Sequence, residues 1–279
     1  MNNSIYPCLW LNENSKEVAE FYCSVFKNST ITLENSMAVL FELDGKKFMA
    51  LGGNTQSKIN PSISITAVFE TLEETNACWE KLIDGGSAMI EIGKHPWSER
   101  YGWLKDKYGM TWQITIAGQP GQTAEITPSF LFTDHLFGKA EEAQNLYKSV
   151  FPDSSTPILI HYPDGDANAS KVMYSEFNLN GYKLIAMDGP GEHHYTFNEA
   201  VSLVVNCETQ DEIDHYWSSL TADGGAESMC GWLKDKYGVA WQIVPASLGK
   251  LMSDQERFQR VIQEVMKMKK LDIAIMENA

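Results

Sequence analysis

The sequence predicts an α+β protein built as a tandem duplication, and three observations carry that reading. Residues 102–114 read GWLKDKYGMTWQI and residues 231–243 read GWLKDKYGVAWQI: eleven of thirteen positions are identical at an offset of 129 in a chain of 279 residues. A unit of that length is a whole domain, not a solenoid repeat of ~20–50 residues. Each half also strings short strands on hairpin turns around two amphipathic helices, without the crossover helices that join parallel strands in α/β sheets.

In chain order, each half opens on a short apolar strand, Tyr6 to Leu11 (YPCLWL) and Ser129 to Thr133 (SFLFT). A helix follows, because Val18, Phe21, Tyr22 and Val25 fall at i, i+3, i+4 and i+7, and Ala143, Leu146, Tyr147 and Val150 repeat the spacing. That stripe reads as core packing. Asp44-Gly45 and Asn180-Gly181, flanked by alternating apolar residues, predict hairpins at equivalent places. A further strand (63–69; 201–205) leads to a second helix (73–82; 211–220) that stops at Gly85-Gly86 or Gly224-Gly225. The last two strands flank the turn Asp106-Lys107-Tyr108-Gly109 or its copy Asp235-Lys236-Tyr237-Gly238. The predicted organisation is a first module over 1–118, a polar linker over 119–127 (QPGQTAEIT), a second module over 128–246 and a helical tail over 247–279. In the tail, Ser253 and Glu256 form a capping-box start, and Phe258, Val261, Ile262, Val265 and Met266 share a helical face.

Composition narrows the function. At 43% hydrophobic the chain can bury two ordinary cores without disulfides or a structural metal. Its five cysteines (Cys8, Cys23, Cys78, Cys207, Cys230) are scattered and read as reduced core thiols. A formal charge of −15, with no basic patch interleaved with aromatics, argues against nucleic acid and anionic membranes as partners. No apolar run reaches the ~18 residues of a membrane span, and MNNSIYP lacks the parts of a signal peptide, so a cytoplasmic location is expected.

The order of elements, the hairpin glycines and above all the GWLKDKYG-x-x-WQI ending, together with FNEAVSLVV (197–205), resemble the PhnB-like branch of the glyoxalase/bleomycin-resistance/dioxygenase superfamily, the vicinal oxygen chelate proteins. Members are often labelled 3-demethylubiquinone 3-methyltransferase-like. The resemblance covers about residues 5–118 and 126–246. It implies two tandem modules, each of paired βαβββ units curling into a half-open sheet around a small-molecule cavity. In metal-using relatives it also implies a divalent ion held on the cavity floor by His, Glu or Gln and acting as a Lewis acid.

Period-two alternation puts Trp112, Ile114 and Ile116 on one face of the last strand and Thr111, Gln113 and Thr115 on the other. With the apolar face toward the helix, Gln113 and its copy Gln242 point into the cavity, where metal-using relatives place a carboxylate. The resemblance puts Pro7 and Pro128 at the first-strand imidazole position, Ser64 and Ser202 at the second, and residues 49–51 or 185–187 at the remaining one. An amide and a hydroxyl are a poor set for an ion that wants three or four N, O or S donors at ~2 Å. No metal and no cofactor are therefore expected. Gln113, Gln242, Ser64 and Ser202 become polar orienting groups in an apolar pocket, with Trp103 and Trp232 as stacking candidates. His95, in the first-half stretch GKHPWSERYGW, is a candidate at the cavity mouth, and Trp97 and Arg100 are candidates to cover a ligand. Lys105 and Asp106 head a tight turn.

The expected activity is binding of a small organic molecule, by sequestration or metal-free catalysis. The alternative is a divalent-metal-dependent lyase, isomerase or dioxygenase. Methyl transfer is not expected, because no glycine-rich loop joins a strand to a helix on a doubly wound parallel sheet. A homodimer of the fused pair is a further expectation.

Overall fold

A computed structural model describes residues 5–12, 14–118, 123–251 and 255–279. Four strand–helix–three-strand units follow one another. The first comprises β1 (Ile5–Leu11), α1 (Ser15–Val25), β2 (Thr30–Glu34), β3 (Ala38–Leu43) and β4 (Lys46–Gly52). The second comprises β5 (Ile63–Phe69), α2 (Leu72–Ile83), β6 (Ser87–His95), β7 (Ser98–Lys105) and β8 (Thr111–Ile116). The third comprises β9 (Glu125–Phe132), α3 (Ala140–Val150), β10 (Ser155–His161), β11 (Val172–Leu179) and β12 (Tyr182–Asp188). The fourth comprises β13 (Val201–Cys207), α4 (Gln210–Thr221), β14 (Ala226–Glu227), β15 (Trp232–Lys234) and β16 (Ala240–Pro245). Three short helices close the chain: α5 (Leu248–Leu251), α6 (Gln255–Val265) and α7 (Ile273–Glu277).

Local chemistry sets these elements. Both central residues of each predicted hairpin have positive φ (Asp44 48° and Gly45 76°; Asn180 49° and Gly181 75°), the pairing a two-residue turn between twisted strands requires. The hydroxyls of Thr71 and Thr209 accept from the N–H of Glu74 and Glu212 and cap α2 and α4.

The architecture is α+β with two eight-stranded sheets, ordered β14-β15-β16-β13-β1-β4-β3-β2 and β10-β11-β12-β9-β5-β8-β7-β6. We call them sheet A and sheet B. Neither sheet belongs to one half of the sequence: sheet A joins the first and fourth units through the antiparallel pair β1–β13, and sheet B joins the second and third through β5–β9. The halves therefore interleave. The buried faces carrying α1 to α4 merge into one apolar core spanning both sheets.

The repeated motif explains how the seam is held. Asp106 accepts four hydrogen bonds, from the backbone N–H of Tyr108 and Met110, the Trp112 indole and the Tyr22 hydroxyl. Tyr22 lies on α1, which packs on sheet A, so this carboxylate ties a turn of sheet B to the other sheet. Asp235 repeats the set with Tyr237, Val239, Trp241 and Tyr147. Burial raises the pKa of both carboxyls, and the four donors oppose that rise.

One boundary differs from the expected one. β9 begins at Glu125, so the last three residues of the predicted 119–127 linker are strand, with Thr127 paired to Thr66. Residues 119–122, and Ser253 of the predicted capping box, lie outside the described residues. No helix among the described residues is long and apolar enough to cross a membrane.

Candidate functional site

Each sheet has a second face, turned away from α1 to α4. On sheet A this face presents Tyr6, Cys8 and Val204, and it is covered by the chain's own tail. Tyr6, Cys8, Val204 and Val244 form a cluster with Leu251, Val261, Val265, Leu271 and Met276 of the C-terminal helices and the residues around them. Backbone bonds from Cys230 and Gly231 N–H to the carbonyls of Met268 and Lys269, at 2.7 Å each, and a bond from Gln210 to the Leu271 carbonyl fasten the tail. Of the predicted tail face, Val261 and Val265 are buried, whereas Met266 is 58% exposed.

Gln242 and Ser202 sit on this covered face, the Gln242 Nε2 donating to the Ser202 hydroxyl at 2.9 Å. Both are buried. Trp232 lies against Trp10, ring centroids 5.2 Å apart. Cys8 faces Ser202 across β1–β13, and burial pushes its thiol up to about 12, so it is a neutral thiol at neutral pH. The resemblance implies a cavity in each module without saying whether both are open; on sheet A the tail covers the face.

The C-terminal helices do not join a cluster on the sheet B face, which is polar, and its central side chains, Ser64, Thr66, Thr127, Ser129 and Gln113, are buried all the same. Gln113 donates to the Ser64 hydroxyl at 2.8 Å and accepts from the Tyr101 hydroxyl at 2.9 Å. Thr66 and Ser129 share a hydrogen bond at 2.6 Å, and Ser98 and Thr115 share one at 3.0 Å. Toward the other edge, Lys183 bridges Glu125 (2.6 Å) and Glu176 (3.0 Å), and the Tyr174 hydroxyl donates to Glu176 at 2.8 Å. Burial pulls the Lys183 ammonium down, but its two carboxylates outweigh that and hold it above the usual lysine range. Burial keeps the Tyr101 hydroxyl protonated, a donor rather than a base.

Trp103 stands beside Gln113 in the β7–β8 register, and its indole Nε1 is buried without a hydrogen-bond partner among the described residues. His95 is the last residue of β6, not a loop residue, because the 87–105 stretch is one long hairpin. Its ring stacks on Trp97 (5.0 Å) and meets the edge of Tyr101 (5.5 Å), and its Nε2 is also buried and has no hydrogen-bond partner among the described residues. Gln113, Ser64, Trp103 and His95 are thus brought into one region through Tyr101; Gln242, Ser202 and Trp232 are on the other sheet. Trp97 is 65% exposed, whereas Arg100 turns away to bond Asn76 of α2.

The first-strand position is corrected by one residue. Pro7 pairs with Leu203 and Pro128 with Ile65, both core residues, so the prolines face the helices and Cys8 and Ser129 face outward beside Ser202 and Ser64. In a strand a slip of one residue changes the face. The corresponding sets are then Cys8, Met49, Ser202 and Gln242 on sheet A, and Ser129, Ile185, Ser64 and Gln113 on sheet B. These offer a neutral thiol or hydroxyl, a second hydroxyl, in sheet A the weak thioether of Met49, and an amide whose oxygen, in sheet B, already accepts from Tyr101. They do not fit a divalent transition ion, and no three His, Cys, Asp or Glu side chains among the described residues group as a metal site.

Thr66, Ser129 and Tyr101 escaped the sequence reading. The signal for Ser129 was the alternation Thr127-Pro128-Ser129, which the one-residue shift hid; Tyr101 has no counterpart in the second half, where Cys230 precedes the repeated glycine.

The family model described as 3-demethylubiquinone-9 3-methyltransferase matches residues 3–115 and 124–244. A solved structure from Bacillus cereus, described as a putative 3-demethylubiquinone-9 3-methyltransferase, PhnB protein, is 29% identical over 40% of this chain and 98% of its own, with a TM-score of 0.38. Glyoxalase I from Zea mays shares the fold over 90% of this chain and 95% of its own at 9% identity, with a TM-score of 0.61. No curated protein matches the chain.

Proposed function

We propose, for a chain that belongs to the PhnB-like 3-demethylubiquinone-9 3-methyltransferase family of glyoxalase-fold proteins, that it binds one small organic molecule on the outward face of sheet B without a divalent transition metal. The observation that carries this reading is the contrast between the two faces. Where sheet A has Tyr6, Cys8, Val204, Val244 and Leu40, the corresponding positions of sheet B are Thr127, Ser129, Thr66, Thr115 and Glu176. The apolar version receives an apolar tail; the polar version keeps hydroxyls and an amide directed at a ligand with groups to match. Gln113, Ser64 and the Thr66–Ser129 pair orient the ligand, and Trp103 and Tyr101 supply aromatic surface.

The methyltransferase description finds no support in the site, because the sheets are not doubly wound and no glycine-rich loop opens a helix beside a parallel strand. The test is a thermal-shift screen of small organic molecules on the full chain, followed by calorimetry of any hit against Gln113→Ala, Thr66→Val and Gln242→Ala. The first two should weaken binding and the third should leave it unchanged. Binding that ignores Gln113→Ala but is lost in Gln242→Ala would move the site to sheet A and sink the proposal. Stoichiometric divalent metal that disappears in Gln113→Ala would overturn its metal-free part.

A further inference from the structure

A cleft lies at the seam where the first and second units meet, beside the end of the sheet A face that carries Trp10. This cleft, ≈ 620 Å³, is lined by Trp10, Asn12, Lys58, Lys105, Lys107 and Tyr108, among others. Asp106, the one carboxylate residue of the lining among the described residues, is already engaged by four donors. Lys58 and Lys105 are exposed and have no ion pair or hydrogen bond from their side-chain nitrogens among the described residues. The Lys107 ammonium lies over the rings of Phe21 (4.3 Å) and Tyr108 (5.1 Å) and pairs with no carboxylate among the described residues.

The duplication supplies an internal control. The same Lys-Asp-Lys-Tyr-Gly turn recurs in the second half, and there both lysines are neutralised: Lys234 by Glu199 at 2.5 Å and Lys236 by Glu142 at 3.6 Å. Three residues before Ser202 stands Glu199; three residues before Ser64 stands Pro61, which has no charge to offer Lys105. Glu17, the counterpart of Glu142, accepts from the Tyr108 hydroxyl at 2.8 Å and forms no ion pair with Lys107. Glu199 also accepts from Ser57 in the cleft wall, but its charge is matched by Lys234. In a chain with 37 acidic and 22 basic residues, three lysines without carboxylate partners among the described residues around one cleft are a local reversal of sign.

We propose that this cleft binds a small organic anion, its phosphate or carboxylate group held by Lys58 and Lys105 and its flat body set against Trp10 and Tyr108. Lysine suits the role as a mobile point charge with three donors, and the aromatic walls suit a planar body. The site is independent of the sheet B face.

Calorimetry of the full chain with phenyl phosphate and with benzoate, at low ionic strength, tests it and separates a phosphate from a carboxylate ligand. At least one probe should bind, and more weakly as salt rises. Lys105→Glu and Lys58→Glu should each weaken binding by about tenfold or more, while Lys148→Glu, the same charge change elsewhere, should not. Melting curves of the variants check that they fold. Failure of both probes to bind, or equal binding by the Lys58→Glu/Lys105→Glu double variant, would overturn the proposal.

Discussion

Replacing Asp106 by Asn tests whether the seam rests on a four-way carboxylate. Asp106 Oδ1 accepts from the N–H of Tyr108 (2.9 Å) and Met110 (3.0 Å), and Oδ2 from the Tyr22 hydroxyl (2.7 Å) and the Trp112 indole (2.9 Å). An asparagine can keep its oxygen on the two backbone donors. Its NH2 group then meets the other pair: the Tyr22 hydroxyl can rotate to accept, but the indole N–H cannot, and a buried donor is left unmet. One orphaned donor costs about 1–3 kcal/mol, and the loss of charge weakens the bonds that remain, so a total near 3 kcal/mol is expected. Tyr22→Phe removes a single donor and should cost about 1.5 kcal/mol alone but less when combined with Asp106→Asn, the coupling a double-mutant cycle reads. Asp235→Asn should match Asp106→Asn, because its partners and distances repeat. Urea unfolding followed by tryptophan fluorescence and far-UV circular dichroism measures all four. A cost below about 0.5 kcal/mol for Asp106→Asn, the range of an ordinary surface change, would refute the assignment.

Leu271→Ala, at a buried tail position against Gly231, should weaken tail docking by about 2–5 kcal/mol; faster hydrogen exchange over β1 and β13 would report it, and unchanged protection there would contradict the covering role. Gly102→Ala should destabilise by about 3 kcal/mol, since a Cβ would sit 2.5 Å from the Trp79 ring and 2.9 Å from the Ile92 backbone; a melting temperature equal to that of the parent would show that β7 can shift at small cost. Thr209→Ala should lose about 1 kcal/mol through the α4 cap in urea titrations, as should Thr71→Ala at α2.

The order of elements was legible because each signal was local: helical stripes around Tyr22 and Tyr147, hairpin pairs needing positive φ, and a repeated motif. The placement of Gln113 followed from strand alternation, since a buried Trp112 fixes the opposite face for its neighbour. Pro7 and Pro128 show the limit of such reasoning. Their alignment counts back from a helix, and the loop between strand and helix does not preserve the face to one residue. The interleaving of the halves was not legible for another reason. Antiparallel pairing of β1 with β13 and of β5 with β9 uses the same residue types as the alternative pairing within a half, so no local pattern chooses between them. The tail's destination was hidden likewise: Val261 and Val265 announce an apolar stripe, and only the apolar face of sheet A says where it goes.

Duplication gives the chain two faces, and the pattern of substitution predicts how many bind. Had both remained sites, the polar positions would match; instead the hydroxyl and carboxylate positions of sheet B are apolar on sheet A, and the residues that cover them come from the same chain. A ligand competing for sheet A must displace Leu251, Val261, Val265, Leu271 and Met276, each worth about 1.5–3 kcal/mol when buried. The Gln242–Ser202 pair that survives there is one polar contact, worth about 1 kcal/mol net, and does not offset that loss. A ligand of the sheet B face should therefore saturate the chain at one molecule, not two, in calorimetry, and a variant truncated after residue 246 should acquire a second, weaker event. Two equivalent events in the intact chain would mean that the tail leaves sheet A freely, and the covered face would have to be counted as a site.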